Sequence, residues 1–175
     1  MSKDSIRKLI IRFLISLVAT TICFGQMQVG DTIPEWMGLE ICSNYELEGD
    51  SLYLHDFNGA TNELGQHYII WITIVTSWWP YCQTEAPFTE ELYQTYKDSG
   101  LVVIGAGSQW DEPYSCEGWV ENFGLSYPYL NDDNGDGQAL WNGLFYGDGI
   151  PKNILIDQNM EIIYANAGTV WPSVW

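Results

Sequence analysis

Beyond residue 12 the chain has no arginine, and beyond residue 25 its only lysines are Lys97 and Lys152. A basic surface that could displace counterions from nucleic acid cannot be built from two lysines, so nucleic-acid binding is excluded. Anionic membrane surfaces and phosphorylated substrates are poor partners for the same reason. The apolar run at the N-terminus, Phe13 to Phe24, has twelve residues, too few to cross a bilayer, which takes roughly 20. Cysteine numbers four and histidine two. His55 and His67 lie in different segments and share no ligand spacing with the cysteines, so both read as structural and no cofactor is implied. What is present is a globular composition: 46% of the 175 residues are hydrophobic and 15% aromatic, which argues against disorder despite a formal charge of -17. That is the length of one domain with one real core.

The N-terminus reads as an export signal. Lys3, Arg7, Lys8 and Arg12 form a basic region ahead of the apolar run, and Cys23 and Gly25 supply small residues at the -3 and -1 positions. Cleavage is expected between Gly25 and Gln26, giving a signal peptide over 1–25 and one domain over 26–175. A buried N-terminal helix, an uncleaved anchor or a lipid-modified Cys23 is the alternative, the last opposed by Ile22. Removing 1–25 takes away four bases and Asp4, leaving 22 acids, two bases and a net charge of -20. Export to the periplasm or the extracellular space places Cys42, Cys82 and Cys116 where disulfides persist. Three is odd, so at least one stays free or pairs between molecules.

Along the rest of the chain, Leu39–Ser43 and Ser51–Leu54 read as short strands around an acidic turn. His67–Thr76 is a continuous β-branched and aromatic run, expected as a central strand covered on both faces. Cys82–Ser99 has the helical spacing Phe88, Leu92, Tyr93, Tyr96 and a stop at Gly100. Leu101–Ala106 is a second buried strand. Cys116–Phe123 and Gln138–Tyr146 read as short helices, and Ile154–Asp157 with Ile162–Ala165 as a hairpin. Strand, helix, strand, helix and hairpin make an α/β domain: a mixed sheet flanked by helices.

The segment Ser77 to Pro87 joins the central strand to the long helix. A thiol there lies near a helix N-terminus, where free N–H groups favour thiolate, although a lone cysteine is equally well a small buried hydrophobe. Trp78-Trp79-Pro80-Tyr81-Cys82, with Glu85 and Pro87 following, resembles the Trp-Cys-Pro-Pro-Cys…Glu…Pro segment of exported thioredoxin-like thiol–disulfide oxidoreductases of the TlpA and ResA type. These belong to the broader redoxin and alkyl hydroperoxide reductase-like grouping. Val29-Gly30-Asp31…Pro34, Asp56-Phe57-Asn58-Gly59, Leu101–Gly105 and Gly149-Ile150-Pro151 before Ile154–Asp157 fall in the family's order, from about Val29 to Ala167. The resemblance implies a thioredoxin-like fold with an N-terminal β-hairpin extension. It also implies a cis Pro151 facing the thiol, with Ile150 pairing to bound peptide as an added strand would. Trp79, Pro80 and Tyr81 would line the same substrate-binding surface, joined by Trp78 and Trp110.

The resemblance breaks at its centre. The family's attacking cysteine falls on Trp79 and its more buried cysteine on Cys82, and tryptophan cannot form a mixed disulfide. Three readings follow: Cys82 acts as a single thiol, Cys82 pairs with Cys116 or Cys42, or the fold keeps its groove without redox function. The first expectation is thiol–disulfide exchange on a thiol- or disulfide-containing protein partner, with Cys82, Cys116 (resolving thiol) and Glu85 (proton management) as catalytic residues. The second is a redox-inactive peptide-binding module. A peroxiredoxin-like peroxidase with antioxidant activity comes third, because such an enzyme holds its thiolate with an arginine. Asp132, Asn134 and Asp136 match the start of a calcium loop, but position twelve is Gly143, so a polar turn is the preferred reading and a metal site the alternative. The family's final helix is missing after Ala165. The tail Asn166–Trp175 either is truncated or covers the sheet irregularly.

Overall fold

A computed structural model describes residues 26–35, 38–45, 51–133, 139–147 and 149–170. The expected signal and its cleavage site, Asn134, Asp136 and Trp171–Trp175 lie outside them. Seven strands form one sheet in the order β2-β1-β5-β4-β3-β6-β7. Its centre is β3 (Ile69–Thr76), buried at every position from Ile70 onward. That is the burial its unbroken β-branched run calls for. β4 (Leu101–Ser108) lies parallel to β3, and β6 (Lys152–Ile156) lies antiparallel on its other side. β7 (Ile162–Ala167) completes the hairpin, whose turn is fixed by Asp157 accepting from the amides of Asn159 and Glu161 at 2.8 and 2.9 Å. The N-terminal hairpin of β1 (Gly38–Ser43) and β2 (Ser51–Tyr53) extends the opposite edge, with β1 antiparallel to β5 (Tyr129–Asn131).

Strand alternation splits the core in two. Ile70, Ile72 and Ile74 face one cluster with Ile104, Ile154, Ile156, Leu140 and Phe145. A π-helical turn, Ala139–Leu144, and a 3-10 turn, Leu54–Phe57, bring Leu140, Leu144 and Leu54 onto that side. Trp71 and Val75 face the other cluster, packed against Cys82 and Ala86 of α1 (Pro80–Tyr96) and Trp119 and Val120 of α2 (Cys116–Phe123). Burying each of these large side chains is worth about 1.5–3 kcal/mol, so both faces contribute heavily to stability. α1 ends in a 3-10 turn and then Gly100 at φ 94, a left-handed conformation that glycine adopts without a Cβ clash. The short helix expected over Gln138–Tyr146 is the π-helical turn Ala139–Leu144, and β5 is additional, because three residues after a proline carry no readable period.

Candidate functional site

The strand-to-helix junction is built by Ser77, Trp78 and Trp79. Trp79 is the N-cap, still extended at φ -80, ψ 120, and Pro80 follows as the first helical residue, where its missing N–H costs nothing. Ser77 is fully buried, its hydroxyl donating to the carbonyls of Gln109 and Glu112 at 2.8 and 3.0 Å, which ties the junction to the loop after β4. Cys82, three residues beyond the cap, is 0% exposed and unbonded. Burial pushes its thiol up from 9.0 to about 12, Glu85 adds to the rise, and hydrogen bonding to Thr76 and its own amide opposes it. Burial therefore overrides the helix terminus, and the group stays a thiol at neutral pH.

Glu85 lies one turn further along the helix and is buried against β3, β6 and the tail. Its Oε1 accepts from Asn153 Nδ2 at 2.9 Å and from the Thr73 hydroxyl at 3.5 Å, and its Oε2 from the Val170 amide at 2.7 Å. Asn153 also accepts from Trp71 Nε1 at 2.7 Å and donates to the Gly168 carbonyl at 3.2 Å. Burial raises the Glu85 carboxyl from 4.5 to about 7 against those hydrogen bonds. Thr73, Cys82, Glu85, Thr89 and Tyr129 line a crevice too narrow for a water molecule.

Cys116 is bonded to Cys42, with Cα atoms 6.2 Å apart, so it does not face Cys82 as a resolving thiol. This corrects the expected pairing: Cys116 of α2 lies in the same buried cluster as Cys82 but is bonded to Cys42 of β1. The Ile150–Pro151 bond is cis as expected; so is Glu112–Pro113, which no sequence feature announced. Pro151 is buried and its carbonyl accepts from the Gly168 amide at 2.8 Å, while Ile150 and Trp79, both half-buried, pack against the Cys82 cluster. The junction therefore brings Trp79, Cys82, Ile150 and Glu85 to one cluster. Pro80 and Tyr81 are exposed beside them. Trp110 joins the core as well: half-buried, it packs against Trp119 and Tyr129 and donates to Asn131 Oδ1 at 3.1 Å. Of the acidic loop, Asp132 is buried and its Oδ1 accepts from the Leu140 amide at 2.9 Å, a role in holding the π turn. Asn153 and Thr73 were missed as site residues. The one available signal was a polar residue inside each apolar strand.

A groove of about 320 Å³ lies elsewhere on the domain, with Cys82 outside its lining. It is bounded by Trp71, Leu155 and Leu101 of the sheet and Leu92 and Tyr96 of α1.

A sequence model of the family described as Redoxin matches residues 28–172. The thiol-disulfide oxidoreductase ResA of Geobacillus kaustophilus is 29% identical over 142 residues, 81% of this chain and 71% of that protein. A candidate thiol:disulfide interchange protein, DsbE, from Chlorobium tepidum superposes with a TM-score of 0.63 at 17% identity, covering 85% of this chain and 90% of that one. The thioredoxin domain of a thiol-disulfide oxidoreductase from Bacteroides vulgatus gives 0.59 at 20% identity, covering 82% and 91%. The fold is the thioredoxin-like fold of thiol–disulfide oxidoreductases.

Proposed function

The chain belongs to the Redoxin family, and from that premise we propose that it is an exported polypeptide-binding module in which the disulfide-exchange site has become a recognition surface. The observation that carries this reading is the state of its cysteines: Cys82 is 0% exposed and the other two described cysteines are bonded to each other; in this reading Trp79 takes the place of the family's attacking cysteine. Exchange needs an accessible thiolate that attacks in line with a disulfide, and neither condition is met in this conformation. In this reading the surface beside the cis proline does the binding. Ile150 before the cis Pro151 offers backbone groups to an extended segment, and Trp79, Pro80 and Tyr81 flank it. Export is supported by the Cys42–Cys116 bond, a kind that persists chiefly in oxidising compartments, and cleavage near Gly25 is part of the same proposal.

Thiol counting with an aromatic disulfide reagent tests the reading. One thiol should react after unfolding and none, within minutes, in the native protein; insulin reduction should be absent and unchanged by Cys82→Ser. Rapid native labelling of Cys82, or insulin reduction abolished by that substitution, would overturn it. A second reading, thiol exchange with a partner protein through Cys82 and with Glu85 moving protons, is favoured by one observation: Glu85 lies close enough to Cys82 to raise its pKa. That reading requires the crevice to open. Peroxidase chemistry stands lowest, since no arginine follows residue 12 to hold a peroxide oxygen.

A further inference from the structure

We infer that the segment taken by this surface is cationic: an extended stretch of polypeptide carrying lysine or arginine, its head groups laid on the rings of Trp78 and Tyr81. The inference rests on the polypeptide-binding reading above and adds its chemistry. Trp78 and Tyr81 are 50% and 56% exposed, unusual for large aromatics at the mouth of a core. They are held as a set: Trp78 and Trp79 meet edge to face at 5.3 Å between centroids, and Trp79 and Tyr81 meet tilted at 5.6 Å. The Trp78 ring is fixed further by its Nε1 donating to Gln109 Oε1 at 2.6 Å. Ring faces that are rigid and open to solvent attract cations through their quadrupole.

The charge beside them agrees. The loop 109–112, bonded to Ser77, carries exposed Asp111 and Glu112. Exposed Asp133 joins the same loop by accepting from the Gln109 amide at 2.9 Å. Among the described residues no lysine is found beside them. Lys97 follows the far end of α1, about 25 Å of helix away, and Lys152 is 3% exposed on the inward face of β6. A neutral segment laid here would strip water from the carboxylates and give nothing back, whereas a lysine or arginine satisfies rings and acids together. An acidic segment would be repelled.

Fluorescence anisotropy on the full chain, disulfide intact, tests this with three labelled seven-residue peptides, Gly-Val-Xaa-Val-Xaa-Val-Gly, where Xaa is Lys, Gln or Glu. At 20 mM salt the Lys peptide should bind about tenfold tighter than the Gln peptide, and 0.5 M salt should remove most of that advantage. Trp78→Ala, and separately Asp111→Asn with Glu112→Gln, should each cut the advantage about threefold; asparagine suits the φ of 76 at position 111. The salt series on unaltered protein does not depend on any variant folding. Equal binding of Lys and Gln peptides, or tighter binding of Glu, overturns the cationic inference and leaves the groove reading standing. Failure of all three to bind overturns both.

Discussion

Replacing Glu85 by glutamine removes a carboxyl sealed between α1 and the sheet, and the effect on stability should change with pH. In the folded protein burial holds this group at about 7, above its ordinary 4.5, despite donors from Asn153, Val170 and Thr73. Between those two values the folded state keeps a proton that the unfolded chain has released. Stability from this group is therefore full below about 4.5, falls as pH rises, and levels off above the folded value. The slope is about 1.4 kcal/mol per pH unit, and the whole loss about 3 kcal/mol, an upper figure because some water reaches the site when the fold loosens. Glutamine has the same shape and no proton to lose. Its amide nitrogen, however, meets donors on every side, a pH-independent cost of about 1–2 kcal/mol. Wild type should thus be the more stable at pH 5, and Glu85→Gln should equal or surpass it by pH 8. Urea unfolding at pH 5, 6, 7 and 8, with the Cys42–Cys116 bond intact, measures both. The acidic remainder of the chain is common to the two proteins and cancels in the difference. Parallel stability curves would refute the reasoning, because a carboxyl titrating normally in the folded state gives no crossover.

Reducing the Cys42–Cys116 bond, which closes a loop with a sequence separation of 74, should lower unfolding free energy by about 4 kcal/mol on chain-entropy grounds; denaturation with and without reductant reads it, and coincident curves would show that the bond constrains nothing. Trp79→Cys restores a Cys-x-x-Cys spacing at the helix cap, so insulin reduction should appear where the parent has none, with about 2–3 kcal/mol less stability from the lost ring packing. A double variant that also carries Cys82→Ser should lose that activity again. Gly105→Ala puts a methyl into the Tyr129 ring, where the rigid aromatic cluster gives little, and should cost about 1–3 kcal/mol in thermal or urea unfolding.

How much was legible follows from what each residue depends on. The unbroken run in β3, the spacing in α1 and the cap-to-stop length of α2 are local signals, and the elements formed within a few residues of where they pointed. Pro151 was legible through the order of family marks, and it is cis. The cysteine pairing was not. Cys42 and Cys116 are brought together by β1 adding to β5, a three-residue strand invisible in the sequence, so the partner could not be chosen by spacing. The exposure of Cys82 stays open between a helix-terminus thiol and a small buried hydrophobe, because the cluster closing over it is not a local feature. Trp71, Tyr129 and Val170 come from three separate elements and seal it only in the assembled fold.

The position of Glu85 bears on what its presence means. An acid three residues after a cysteine reads as proton management when a second thiol stands beside it. In this chain the acid has other work. It joins α1 to β6 through Asn153, to β3 through Thr73 and to the tail through Val170. Each of those three partners donates a hydrogen bond, and losing their common acceptor would orphan buried groups at a cost of about 1–3 kcal/mol apiece. That structural demand suffices to account for the acid without any catalytic role. Its elevated pKa then follows from burial at a junction of three elements, the same packing that hides Cys82. On the binding-module reading, the functional residues are those that packing leaves open: Trp78, Tyr81, Asp111 and Glu112 at the surface, with half-buried Ile150 beside them.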